Sequence, residues 1–288
     1  MFILCQGRLA EALVRFLSDV LTAKKKTTSC SRTYDESNCI KINPKRSNSS
    51  SLSQSLDFCL WNVRSVKNKA LSLKDYTVEH DLDFLAFTET RLHSGESESF
   101  FVGELCPKGY TFYRTPRENS RGSGVGILVK KSLLVERLCS ANLSSFENVV
   151  APAGYPIGSI RFVVIYRPTS SQIKAFLEGF ANLLEQLVPI SGNMLIVGDF
   201  NFHLDDSNNT DATKLHNLLK SFNLKQHVAT PTHSRGHILD LIITRPEDDL
   251  VDGILVRDPT LSDRFAVHCT LKLSKPRAEQ HNIRYRKL

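Results

Sequence analysis

"NMLIVGDFN", residues 193–201, is an apolar run closed by an acid, an aromatic ring and an amide. Met194 to Val197 have the composition of a strand buried on both faces. A carboxylate at the end of such a strand is costly unless it meets water, a cation or hydrogen-bond donors. Residues two apart in an extended segment point the same way, so Asp199 and Asn201 are expected to face one site. A single acid after a strand is more often a turn residue or a helix N-cap. The reading therefore depends on whether other strands finish in the same manner.

They do. Apolar stretches of strand length occur at "LDFCLWNV" (56–63), "DFLAFTET" (83–90), "GVGILVK" (124–130), "IRFVVIYRP" (160–168), "HILDLIIT" (237–244) and "FAVHCTLKL" (265–273). The first ends in Asn62, the second in Glu89 and the fourth in Tyr166, while Asp240 lies within its run and Asp263 precedes the last strand. Between them, "SSQIKAFLEGFANLLEQLV" (170–188) repeats apolar residues at helical spacing, and "DATKLHNLLKSFN" (211–223) reads as a second helix. Strands alternating with helices make residues 56–273 an α/β domain with enough strands for two sheets.

The flanks differ in kind. Of the net charge of +7, residues 1–56 carry +5 and 272–288 carry +5, leaving −3 for 57–271. Overall basicity thus says little about what the central domain binds. Residues 1–23 place Leu9, Leu13, Phe16, Leu17, Val20 and Leu21 on one helical face, and charges interrupt every apolar stretch. The segment reads as a short amphipathic helix, with no signal peptide and no membrane span. Residues 24–55 are basic and Ser-rich and read as a disordered linker; the run Lys24–Lys26 reads as solvated. Residues 274–288 form a basic tail that resembles the start of a further segment. Seven scattered cysteines without a C-x-x-C pair argue against a disulfide framework and for a reducing, intracellular setting. His233 and His237 have half of a zinc spacing but no partner pair.

The residue types at the strand ends define a chemistry. Carboxylate and amide oxygens suit Mg²⁺, with Mn²⁺ as the alternative ion; one or two carboxylates usually hold Mg²⁺ beside water and substrate phosphate. Water attack on a phosphodiester needs a positioned base, donors for the phosphate oxygens and a cation or acid at the leaving oxygen. "RGSGVGIL" (121–128) lacks the lysine of a nucleotide P-loop and reads as a turn entering a strand, with Arg121 near enough to touch a phosphate. No G-x-S-x-G elbow points to a serine hydrolase. "PTHSRGH" (231–237) is a polar, basic loop beside Asp240, so Thr232 and His233 are candidate DNA contacts. Trp61 reads as core.

In this order, "LWNVRS", "FLAFTETRL", "RGSGVGILVK", "IYRP", "IVGDFNFH", "PTHSRGHILDLIIT" and "LSDRFAVH" resemble the endonuclease/exonuclease/phosphatase superfamily. More narrowly, they resemble the apurinic-type endonuclease domain of non-LTR (LINE-type) retrotransposons. The resemblance implies a DNase-I-like four-layer sandwich, with two central mixed β-sheets flanked by helices. It implies Glu89 as the principal Mg²⁺ ligand assisted by Asn62, with Asp263 helping to hold the metal site. Asp199 would position or activate the water, Asn201 and Tyr166 would donate to the phosphate, and Asp240 would orient a histidine directly after Asp263. DNA is the implied partner, with reverse transcriptase and RNA in a full-length protein, and the nucleus the implied location.

That histidine is absent: the family pattern Ser-Asp-His reads Ser262-Asp263-Arg264 here. Some relatives also carry an acid where Arg64 stands. Guanidinium stays protonated at any working pH, so Arg264 can hold phosphate charge but cannot accept a proton. It can equally fold back on Asp240 or Asp263. The expected catalytic loss is about 10²–10⁴-fold, the size of a general acid–base contribution. His268 lies about 13 Å along the strand at roughly 3.3 Å per residue and is no substitute; His203 reads as a loop residue. Three functions follow: a nicking endonuclease that leaves a 3′-hydroxyl, an inactive relic that binds DNA or metal, and a phosphatase or phosphodiesterase of the same superfamily.

Overall fold

Alternation along the strands builds the layers. In β1 (Leu56–Asn62), Leu56, Phe58 and Leu60 point to one side, and Cys59 and Trp61 to the other. The first set packs against Phe162, Val164, Leu195 and Val197 of a second sheet; the second packs against helices. A strand buried on both faces forces a helix layer outside and a sheet inside. The structure, a computed structural model, describes residues 55–93, 97–115, 124–135, 145–155, 158–258 and 261–273. The helix expected over 1–23, nearly all of the linker expected over 24–55, and the tail 274–288 lie outside them.

The first sheet adds β2 (Phe84–Thr88), β3 (Tyr110–Thr115), β4 (Val125–Lys130), β11 (Val251–Arg257) and β12 (Ala266–Leu271), in the order β11-β12-β1-β2-β4-β3. The second contains β5 (Leu134–Val135), β6 (Glu147–Tyr155), β7 (Gly158–Tyr166), β8 (Asn193–Asp199), β9 (Lys225–Gln226) and β10 (Asp240–Thr244), in the order β5-β6-β7-β8-β10-β9. Each sheet has one parallel pair, β1 with β2 and β7 with β8, among antiparallel neighbours. A parallel pair needs a crossover, and helices supply both. Helix α1 (Ala70–Glu79) joins β1 to β2, and α3 (Ile173–Leu187) joins β7 to β8. With α2 (Ser97–Leu105) outside the first sheet and α4 (Thr210–Ser221) outside the second, the layers number four. This is the expected DNase-I-like α/β sandwich of two mixed sheets.

The two long helical stripes formed as expected. Helix α3 buries Phe176, Phe180, Leu183, Leu184 and Leu187, and Asn209 caps α4 by accepting from the Asp211 and Ala212 amides. Other elements carried no clean period. Helix α1 buries only Ala70, Leu73 and Thr77 and leaves Leu71 and Val78 exposed. Edge strand β11 contains Asp252 and Gly253 and is half-exposed throughout, and β6 holds Pro152, which argues against a strand on propensity.

Asp240 requires a correction. It does not sit inside a strand begun at 237 but opens β10, directly opposite Asp199. Because β10 runs antiparallel to β8, its first residue meets the last residue of β8. The ends of β1, β2, β7 and β8 and the start of β10 thus come to one edge of the sandwich. Gly198 makes that edge possible: a Cβ there would lie 1.8 Å from the Ile165 carbonyl oxygen of β7.

Candidate active site

Asn62 is the hub where the sheets meet. Its buried amide nitrogen donates to Glu89 Oε1 at 2.8 Å and to Asp199 Oδ2 at 2.6 Å, and its Oδ1 accepts from the Arg64 amide. One side chain thereby ties β1 to β2 and to β8 of the other sheet. The chain bends sharply here: Arg64, Glu89, Arg91 and Asn201 all have φ between 52° and 54°. Non-glycine residues in the left-handed region are uncommon and costly, and such strain concentrates at functional sites.

The Asp199/Asn201 pair converges, but not through extended alternation. Strand β8 ends at Asp199, and the Asn201 amide donates back to Asp199 Oδ1 at 3.1 Å in an Asx turn. The loop is then pinned by Arg167, which sequence reading passed over within "IYRP". Arg167 is buried and donates from Nε to Phe200 O and from Nη2 to Asn201 O, with its guanidinium 4.6 Å from the Phe202 ring centroid. Asn201 Nδ2 returns a bond to Arg167 O at 2.7 Å. A buried cation spent on carbonyls was legible only as an arginine next to a strand-end tyrosine.

Arg264 lies 4% exposed at the centre. Its Nη2 donates to Asn201 Oδ1 and pairs with Asp199 Oδ2, both at 2.9 Å. Its Nη1 faces Asp240 Oδ2 at 3.5 Å without forming a hydrogen bond, and both Asp240 oxygens and Arg264 Nε and Nη1 are buried without partners. Arg264 therefore folds onto Asp199 and Asp240 and does not reach Asp263.

Two fully buried acids share this one cation. Burial raises both carboxyls, and Asp199 reinforces the effect on Asp240, which is pushed up to about 8. Arg264 and the Asn62 donor pull Asp199 back down. Burial opposes the charge on Arg264, but Asp199 and Asp240 outweigh it and hold its pKa above the ordinary value. The two acids form a pair: like charges this close do not both ionise, so one proton stays. Asp240, with only the Thr232 hydroxyl and the more distant Arg264 to favour its charge, keeps it at pH 7, and Asp199, with three donors, carries the charge.

The remaining expected residues divide. Tyr166 is in register with Asp199, and burial, then Glu89 and Asp199, raise its hydroxyl's pKa, so it remains a donor. Asp263 Oδ2 pairs with Arg64 Nη2 at 2.8 Å and lies 3.3 Å from His233 Nε2, while its buried Oδ1 has no partner. Thr232 and His233, expected at DNA, are turned inward. The Thr232 hydroxyl oxygen accepts from the Leu239 and Asp240 amides, which fixes the start of β10. His233 pairs across an isolated bridge with Arg264, and its Nδ1 accepts from the Arg235 amide. His237 pairs with Asp205 and packs on His203, so it forms no zinc pair with His233. Trp61 is core, donating to Arg264 O. Arg121 lies outside the described residues.

A match to the Endonuclease/Exonuclease/phosphatase family model runs over residues 59–264, from β1 through Arg264. The chain belongs to this family. Among curated proteins it is similar to the RNA-directed DNA polymerase from mobile element jockey of Drosophila melanogaster, 24% identical over 145 residues. That match takes in 49% of this chain and only 14% of the jockey protein. Among solved structures it is similar to the endonuclease domain of TRAS1, a telomere-specific non-LTR retrotransposon, with TM-score 0.59 and 16% identity over 76% of this chain and 99% of that one. The AP endonuclease LMAP from Leishmania major matches with TM-score 0.63 and 16% identity, over 88% of this chain and 98% of that one. The family member described here thus has a retrotransposon-type relative by sequence and the shared fold by structure. No helix among the described residues is long and apolar enough to cross a membrane.

Proposed function

We propose that this domain is a retrotransposon-type DNA endonuclease that nicks one strand to leave a 3′-hydroxyl, in Mg²⁺, with its turnover depressed by Arg264. The observation that carries the reading is the junction of Asn62, Glu89, Asp199 and Asn201 at one edge of the two sheets. The relationship to the jockey polymerase and the fold of the TRAS1 endonuclease domain support DNA as the substrate and chromosomal DNA, in the nucleus, as the target. In a longer protein, reverse transcriptase and RNA are the further partners.

The donor chemistry fits a hard cation. Glu89 is only partly buried at its strand end, and Asp263 Oδ1 is a buried carboxylate oxygen without a partner. Among the described residues no group of three or more His, Cys, Asp or Glu could hold a metal; a closed protein cage is thereby disfavoured, whereas Mg²⁺ takes one or two carboxylates. Glu89 and Asp263 would hold it, and the ion would stabilise charge on the phosphate and leaving oxygen. Asn62, its amide nitrogen turned to both acids, orients Glu89 and Asp199. Asp199 holds the attacking water, Tyr166 donates to a phosphate oxygen, and Asn201 has a second amide hydrogen for another.

Arg264 limits the reaction. It spends its Nη2 on Asp199 and Asn201, the base and the donor, and it cannot take a proton. Asp240, suited to a ring N–H, meets a guanidinium it does not bond. The same contacts favour the second reading, a silent relative that still binds DNA. Nicking of supercoiled plasmid in Mg²⁺ decides between them, comparing the parent with Arg264→His and Glu89→Ala. The proposal expects Arg264→His to nick about 10²–10⁴-fold faster than the parent, Glu89→Ala to be inactive, and nicks to prime a DNA polymerase directly. Parent turnover equal to Arg264→His would refute impairment; no nicking by any variant would refute the nuclease.

A further inference from the structure

A cavity of about 420 Å³ lies away from the catalytic junction, on the outer face of the first sheet. Its walls come from β1, β11, β12 and the turn after α1, and include Asp57, His80, Leu255, Arg257, His268 and Thr270. The position follows from topology. Helices α1 and α2 pack on the β1, β2 and β4 side of the outer face, and edge strand β11 leaves Leu255 52% exposed.

The chemistry of the walls is lopsided. The Arg257 guanidinium and the His80 ring nitrogens have no hydrogen-bond or ion-pair partner among the described residues. Both lie close enough to His268 to depress its pKa, after the larger effect of burial. Both line the same cavity. The one carboxylate in the lining, Asp57, accepts from Thr270 Oγ1 at 2.9 Å. His268 is an aromatic lining residue held in place, its Nε2 bonded to the Tyr76 hydroxyl and its ring edge-to-face with that of His80 at 5.1 Å. Free donors at one side, an aromatic wall and an exposed aliphatic residue suit a ligand with an anionic end and a planar apolar body.

We propose that this cavity binds a nucleotide: Arg257 and His80 grip its phosphate, and its base lies on His268 and Leu255. Arginine binds phosphate through two parallel hydrogen bonds, and bases stack on aromatic side chains including histidine. The volume lies within the range of small-ligand sites. Arg257 pairs with Ala266, two residues from Arg264, so in the sheet register it is the lining residue of β11 nearest the catalytic edge. The nucleotide is either a free mononucleotide or one unit of a single strand.

The test is calorimetric titration without Mg²⁺, using AMP and a thymidine octanucleotide against the full chain carrying Glu89→Ala. The mutation silences the proposed nuclease, so binding is read apart from cleavage, and plasmid nicking by the unmutated chain is scored separately. Binding of AMP alone assigns a free nucleotide, and binding of the octanucleotide with or without AMP assigns a strand. In either case Arg257→Ala and His80→Ala should each weaken binding about tenfold or more, the loss of a hydrogen bond to a charged group. Arg257 is exposed and His80 half-buried against Tyr76 and His268, and circular dichroism confirms that the fold is kept. No binding of either probe at millimolar concentration, or binding that both substitutions leave unchanged, overturns the proposal whatever the nicking assay gives.

Discussion

Replacing Arg264 by methionine keeps most of the stem and removes the one cation shared by Asp199 and Asp240. Both acids have no exposed surface and face each other across β8 and β10. Removing one partner of a buried ion pair costs about 3–5 kcal/mol, because the other is left uncompensated. The acids can answer only by taking up protons. Asp240 already holds one at neutral pH, being pushed up to about 8, so the second must go to Asp199, which loses the guanidinium that was lowering it. An acid whose folded pKa lies above its unfolded value binds more protons when folded, so its stability contribution falls as pH rises through the folded pKa. The variant's deficit should therefore be small near pH 5 and approach the full about 3–5 kcal/mol near pH 8. Urea unfolding of parent and variant at both pH values measures it, with Asp240→Asn added to the variant recovering part of the loss. A deficit below about 1 kcal/mol at pH 8, or one equal at pH 5 and 8, would refute the shared-cation account.

Asp240→Asn alone replaces a carboxyl that is protonated when folded at pH 7; the parent's stability should fall between about pH 4 and pH 8 and the variant's fall should be shallower, as paired urea midpoints across that range will read. Gly198→Ala drives a Cβ to within 1.8 Å of a backbone oxygen in the central β7–β8 pair, so it should cost about 3 kcal/mol or more, measured by thermal unfolding or seen as insoluble protein. Arg167→Met frees the Phe200 and Asn201 carbonyls from their donors; stability should drop by about 2–4 kcal/mol, and in an Arg264→His background nicking should fall further than refolded protein content does.

What the sequence made legible was what hydrophobic runs and their ends can carry. The strands bearing Asn62, Glu89, Tyr166 and Asp199 are buried on both faces, so their apolar runs were continuous and their polar ends conspicuous. Strand β11 and helix α1 lie where burial is partial, and their mixed composition hid them. The site was harder where tertiary pairing decides direction. Asp240 looked internal because the antiparallel start of β10 cannot be distinguished from its middle in one dimension. Thr232 and His233 looked like loop contacts because nothing local reveals that the Thr232 hydroxyl caps two backbone amides and His233 lies against Asp263. Arg167 was hidden for the same reason: its partners are carbonyls 33 and 34 residues away.

The substitution at 264 makes sense as an electrostatic exchange. Four acids, Glu89, Asp199, Asp240 and Asp263, come to the edge where the sheets meet, and gathering them without cations would be costly. Here arginines answer them one by one: Arg91 lies 3.4 Å from Glu89, Arg64 lies 2.8 Å from Asp263, and Arg264 serves the buried pair. Arg64 and Arg91 are about half exposed, so solvent weakens their grip and an incoming cation or phosphate can displace them. Arg264 is buried and held by two 2.9 Å contacts, so displacement there means stranding Asp199. Stability and turnover therefore pull position 264 in opposite directions: the residue that best neutralises the acid pair is the one that cannot take a proton from the reaction. Histidine at 264 should accordingly raise nicking while lowering the urea midpoint at pH 8, and a variant that gained both would show that the pair does not need its guanidinium.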